Sequence, residues 1–176
     1  MIKVKLPIEL DPVRAAKRNL DYDGIVESKN LKRLQGACLS VNPVVDVKLH
    51  CAIDPQGLAT IRGEAQTDVR VECQRCNGDL ELPLQVQFTY SPVFNDEQAE
   101  ALPESYEPLE LNENGEINVH KLLEDELIVA MPLIAKHPMA ECAVKSDIQT
   151  FGEIPAYEEQ AKPNPFAVLE SLKKKD

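Results

Sequence analysis

Through the middle of the chain apolar and polar residues alternate at a period of two, while the segments on either side carry their apolar residues at helical spacing. Val45, Val47, Leu49, Cys51 and Ile53 alternate with Asp46, Lys48, His50 and Ala52, which predicts a half-buried strand. Asp54-Pro-Gln-Gly57 has the composition of a turn. A second strand follows over 60–73, with a bend expected at Gly63, and sets Val69, Val71 and Cys73 against Asp68, Arg70 and Glu72. The third is the clearest, with Leu80, Leu82, Leu84, Val86, Phe88 and Tyr90 at every second position. Pro83 falls on its polar side and lacks an N–H, which favours an edge or a bulge there. Short connections between these strands predict antiparallel pairing with one wet face.

Before the strands, 10–20 reads as a short helix in which Asp11 caps the free amides and Pro12 sits where its missing donor does no harm. Val13, Ala16 and Leu20 share its inward face, and Arg14, Lys17 and Arg18 fall together on another. A second helix is expected over 28–37, with Leu31 and Leu34 inward and Lys29, Lys32 and Arg33 outward. After the strands, 91–115 dissolves into prolines, glutamates and small residues and reads as an acidic surface loop with one helical turn at 95–100. Asn118 then caps a helix running to Met131, striped by Val119, Leu122, Leu123 and Leu127, with Glu124, Asp125 and Glu126 outward and Pro132 as its stop. A loop over 136–163 leads to a final helix opened by Asn164-Pro165, with Phe166, Leu169 and Leu172 on its apolar face.

The expected fold class is therefore α+β: an antiparallel β-meander over about 44–90, flanked by short N-terminal helices and covered by the amphipathic helix at 118–131. Residues 1–135 form a single domain in this reading, and 136–176 supply a loop and helix that pack back on it. A chain of 176 residues is long enough for one good core. It has no run of about 18 apolar residues to span a bilayer, and its first ten residues lack the uninterrupted apolar stretch of a secretory signal. A cytoplasmic protein with no membrane contact is expected, and its five cysteines are then core residues or metal ligands before they are disulfides.

Charge divides the chain. Residues 1–90 hold 12 Lys/Arg and 12 Asp/Glu, whereas 91–176 hold 7 and 18, which supplies the whole net charge of −11. An acidic bulk repels phosphate, so nucleic-acid contact must be confined to a local basic patch. The candidates are Arg14, Lys17, Arg18, Lys29, Lys32 and Arg33, with Arg75 beside them; the alternative is an ordinary charged surface balanced by Asp21, Asp23 and Glu27. Conversely, 96–126 carries 11 acidic residues against Lys121 alone, and Glu104, Glu107, Glu110, Glu113 and Glu116 within it are candidates for holding a basic protein partner.

The sharpest local motif is Cys73-Gln-Arg-Cys76-Asn-Gly78, two thiols at the spacing of one edge of a zinc tetrahedron, in a tight turn where Gly78 is available for positive φ. The remote residues able to complete four ligands are His137 and Cys142. Such a site would be structural, with no open position for substrate; the alternative is two turn cysteines and a loop cysteine without metal. A thioredoxin-type pair belongs at a helix start after a parallel strand, which this is not. With no phosphate loop, GxSxG or HExxH pattern, an enzyme is not expected.

Lys3-Val-Lys-Leu-Pro7, Leu10-Asp-Pro-Val-Arg14, Leu20-Asp-Tyr-Asp-Gly24, Glu72-Cys-Gln-Arg-Cys76, the run through 96–104 and Lys162-Pro-Asn-Pro-Phe-Ala-Val-Leu169 closely resemble the bacterial YceD family, the large ribosomal RNA subunit accumulation proteins. The resemblance implies a non-enzymatic factor needed for normal levels of large-subunit ribosomal RNA. It also implies a zinc-like site, because many relatives pair the first CxxC with further cysteines near the C-terminal end; with only Cys142 there, this chain must draw on His137. Two modes of action follow as expectations: binding of ribosomal RNA precursor through the basic N-terminal patch, or an acidic chaperone or adaptor for a basic ribosomal protein or RNA-processing factor.

Overall fold

In the computed structural model, which describes residues 4–144, the chain runs β1 (Val4–Lys5), β2 (Glu9–Leu10), α1 (Pro12–Lys17), β3 (Asp21–Glu27), a 3-10 turn (Ser28–Asn30), α2 (Lys32–Ala37), β4 (Ser40–Val41), β5 (Val44–Ile53), β6 (Ala59–Glu72), β7 (Asp79–Val93), α3 (Asp96–Glu100), β8 (Glu107–Glu110), β9 (Ile117–Asn118) and α4 (Val119–Val129). The helix expected from Asn164 lies outside the described residues.

The architecture is α+β. β5, β6 and β7 pair antiparallel in sequence order, Val47 opposite Ala65 and Ala65 opposite Val86, so that their alternating apolar residues fall on one face. That face holds the core: Val45, Val47, Leu49, Cys51, Ile61, Ala65, Val69, Leu84, Val86 and Phe88 are buried against Ala15 and Ala16 of α1, Leu31 and Leu34 beside and within α2, and Leu122, Leu123 and Leu127 of α4. The helices thus cover one side of the sheet, and the polar positions of β5–β7 form a bare opposite side. Gly63 makes the packing possible in a specific way. A Cβ there would lie 2.0 Å from the Phe88 ring, so β6 runs unbroken through a glycine that seats the ring.

The sheet is mixed, which corrects the expectation of a purely antiparallel one. Its order is β1-β3-β5-β6-β7-β8, with β4 also on β6. β1 pairs parallel with β3, and β8 pairs parallel with β7 at Tyr90–Val93. Beyond these parallel pairs, the sheet is also wider than the pattern predicts. Asp21–Glu27 alternates polar and apolar residues but carries too little apolar mass to stand out, yet it is a seven-residue strand paired along its whole length with β5. The region 91–115 is likewise not one loop: it contains the end of β7, α3 and β8. Pro83 is exposed, and β8 reaches only Tyr90–Val93, so the proline does sit on an open edge.

The helix caps follow the sequence. Asp11 accepts from Arg14 N at 2.8 Å and Asn118 from Lys121 N at 2.9 Å. α1 is shorter than expected, however, closing at Asn19 with φ 52°. Its buried residues are Pro12, Ala15 and Ala16, while Leu20 lies beyond it on the surface. The expected second helix is split, because Leu31 breaks the helical path between the 3-10 turn and α2.

Candidate functional site

The hairpin between β6 and β7 closes through the cysteine motif. Cys73 N donates to Gly78 O at 2.8 Å and Asn77 N to Cys73 O at 2.8 Å. Asn77, not Gly78, takes the left-handed conformation, with φ 56°; asparagine tolerates that region better than other non-glycine residues. After α4 the chain returns to this tip. Gln74 N donates to Ala135 O at 2.9 Å, and the Gln74 side chain to Leu133 O at 3.2 Å. Cys73, Leu80, Ala135 and Cys142 form a small buried cluster of their own there.

The four residues singled out in the sequence meet at this point: the ligand atoms of Cys73, Cys76, His137 and Cys142 all lie within 4.8 Å of one another. A tetrahedral zinc with bonds of about 2.0–2.3 Å spaces its ligand atoms by about 3.3–3.8 Å. Cys76 Sγ and His137 Nδ1 are already 3.4 Å apart, so the set closes on an ion with small side-chain shifts. The surroundings suit it. His137 Nε2 lies 2.9 Å from Asp79 O, which fixes that nitrogen as the donor and leaves Nδ1 facing the sulfurs. Burial works against ionisation at Cys73, but N–H groups of His137, Arg75 and Cys76 directed at its sulfur outweigh this and bring the thiol down to about 5. The Asp79 carbonyl, the Cys76 thiol and then Cys73 raise the pKa of His137. Three soft sulfurs and one imidazole, with every position supplied by the protein, can hold a metal ion structurally.

The basic candidates are not brought together as a single patch. Arg14, Lys17 and Arg18 are exposed on α1 and, with Lys32, make no ion pair among the described residues. Lys29 pairs with Glu27 at 2.8 Å. Arg33 is held by Glu124 at 2.9 Å and Asp125 at 2.6 Å. Arg75 belongs to the cysteine turn, where it contacts Met139.

The acidic candidates divide too. Glu104 and Glu107 line a trough of about 820 Å³. Glu110 is exposed on β8, Glu113 is exposed in the turn after it, and Glu116 is half-buried there. Glu124, expected outward, is buried, and this is the residue that sequence reasoning misplaced most. Its carboxylate accepts from Arg33 N at 2.6 Å and Leu34 N at 3.1 Å, capping α2 from 90 residues away. Glu126 accepts from the Tyr90 hydroxyl. No helix among the described residues is long and apolar enough to cross a membrane.

The comparisons agree with the resemblance carried by the motifs. The family described as "Large ribosomal RNA subunit accumulation protein YceD" matches residues 61–173. A protein of that name from Haemophilus influenzae is 48% identical over 176 residues, covering 99% of this chain and all of the relative. No solved structure matches. A family match over more than half the chain, and a relative that aligns from end to end, establish that this chain belongs to the YceD family.

Proposed function

We propose that this chain supports the accumulation of large-subunit ribosomal RNA in the cytoplasm, as its relative is named for doing, and that it acts by binding ribosomal RNA precursor and not by catalysis. The observation that carries the reading is the end-to-end similarity to that relative. The RNA-facing element in this proposal is α1. Ala15 and Ala16 anchor it to the sheet, which turns Arg14, Lys17 and Arg18 outward without an acidic partner among the described residues. Lys32 would extend the contact, whereas Lys29 is already paired with Glu27 and Arg33 is engaged by two carboxylates. Phosphate contacts of this kind position an RNA without reading its sequence.

In the same proposal Cys73, Cys76, His137 and Cys142 hold a structural zinc that fastens the segment after α4 to the β6–β7 hairpin. Its role is to keep the fold's C-terminal edge in place, since no ligand position is left for a reacting molecule.

Sequencing the RNA cross-linked in cells to the tagged protein tests the function directly: large-subunit precursor should be enriched over other transcripts. Reversing Arg14, Lys17 and Arg18 to glutamate should weaken binding across sequences and lower the salt slope by about three, one per lost phosphate contact. An unchanged slope would remove α1 from the RNA contact.

A further inference from the structure

The bare side of the sheet has a character that the sequence conceals. Residues 1–90 are charge-neutral as a string, but folding sorts that neutrality by side. The cations Arg14, Lys17, Arg18 and Lys32 lie on the helices that cover the inner face. On the outer one acidic residues outnumber the cations Lys48, Arg62 and Arg70. Register places Asp21 and Asp23 of β3 beside His50 and Lys48 of β5, and these beside Arg62 and Glu64 of β6. Along this row the trough of about 820 Å³ crosses the sheet, and Glu104 approaches from the segment leading into β8. On this face Asp21, Asp23, Glu64 and Glu104 line it against two cations, Lys48 and Arg62, whereas Glu107, which shares the side of Tyr90, and Glu126 of α4 reach it from the helical side. Farther along the same face Asp68 and Glu72 are exposed and make no ion pair among the described residues, and Glu81 shares Arg70 with Asp79.

We propose that this open sheet face, with the trough at its centre, is the docking surface for a lysine- and arginine-rich polypeptide segment. It rests on the reading that the protein works by binding, but it is independent of whether α1 touches RNA. Charge complementarity selects the occupant. Carboxylates contributed by β3, β6 and the segment before β8 converge on one concavity wide enough for several side chains, and RNA is repelled by the same field. Lys48 and Arg62, spaced between the acids, set a register: an incoming cation is favoured at the two ends of the trough, beside Asp23 or beside Glu104, and disfavoured over the centre, while Asp21 is already held by His50 at 2.5 Å. With the unpaired cations of α1 on the helical side and an excess of carboxylates on the bare sheet side, the protein can hold a basic protein segment while α1 remains open to RNA.

The test is fluorescence anisotropy of a labelled oligolysine peptide with the full-length protein across a range of salt. The triple variant Asp23→Asn, Glu64→Gln, Glu104→Gln should weaken binding about tenfold or more and flatten the salt dependence. A variant with the same charge change elsewhere, Glu97→Gln, Glu100→Gln, Glu113→Gln, should bind within about twofold of the wild type. All three trough positions are on exposed side chains, and equal thermal midpoints would establish that folding is unaffected. Equal losses in the two variants would reduce the effect to net charge and overturn the proposal. Displacement of the peptide by single-stranded RNA, retained when Arg14, Lys17 and Arg18 are reversed, would overturn it in favour of RNA on the same face. Failure of RNA binding in the α1 variant, with peptide binding intact, would concern only the RNA reading.

Discussion

Glu124→Ala is the substitution that most directly tests how the helical layer is held. α2 has six residues, and its N-cap, Leu31, offers no side-chain acceptor. Its first amides are instead satisfied by the Glu124 carboxylate, through Arg33 N at 2.6 Å and Leu34 N at 3.1 Å, with Arg33 Nε at 2.9 Å. Removing the carboxylate strands two backbone donors at a site where Leu34 and Glu124 are buried. Each unsatisfied donor costs about 1–3 kcal/mol, and because water can reach the Arg33 side, a total of about 3–4 kcal/mol is expected, within the range for breaking a buried charged contact. Glu124→Gln keeps one acceptor oxygen for the α2 amides but turns an N–H₂ group toward Arg33, so it should cost about half as much. Arg33→Ala should cost less than either, since the backbone donors keep their partner. Asp125→Ala, which removes a half-exposed carboxylate from the same arginine, should cost least. Urea titration followed by circular dichroism measures all four, and the order should appear in the midpoints at constant m. If Glu124→Ala costs no more than Asp125→Ala, the carboxylate does not cap α2 and the account of this contact is wrong.

Protein produced with zinc supplementation should contain one zinc per chain by elemental mass spectrometry, and Cys73→Ser, Cys142→Ser and His137→Ala should each lose it, because ligands of one tetrahedron act as a unit; metal-free wild-type protein would refute the site. Chelation should raise hydrogen exchange at Gln74, whose amide is bonded to Ala135 O, more than at Val47 in the centre of the sheet. Gly63→Ala should destabilise the fold by about 2–3 kcal/mol through overlap with the Phe88 ring, and Phe88→Leu in the same chain should recover part of that loss. A double variant no more stable than Gly63→Ala would show that the ring is not what the glycine accommodates.

Local physics made much of this protein legible in its sequence. The alternation of β5, β6 and β7 depends only on the pleat, which sends successive side chains to opposite faces, so core residues such as Val47, Ala65 and Val86 could be placed without knowing their neighbours. Caps by Asp11 and Asn118 are equally local, reaching amides three residues on. The cysteine–histidine cluster was legible for a chemical reason: thiols and an imidazole are scarce, and Cys73, Cys76, His137 and Cys142 left few other combinations. Long-range partners were not legible. The parallel β1 and β8 are too short to carry a pattern, and β3 owes its place to β5 and to Gly24, where a Cβ would lie 2.2 Å from Val4 O. Glu124 carries the same charge as Asp125 and Glu126 beside it, and only the arrival of α2 against α4 turned it from a solvated acid into a buried cap. The charge on the two sides of the sheet was decided the same way. A sequence fixes how many carboxylates and cations a segment holds, but strand register and helix placement determine which of them share a face, and electrostatic fields add in space and not along the chain.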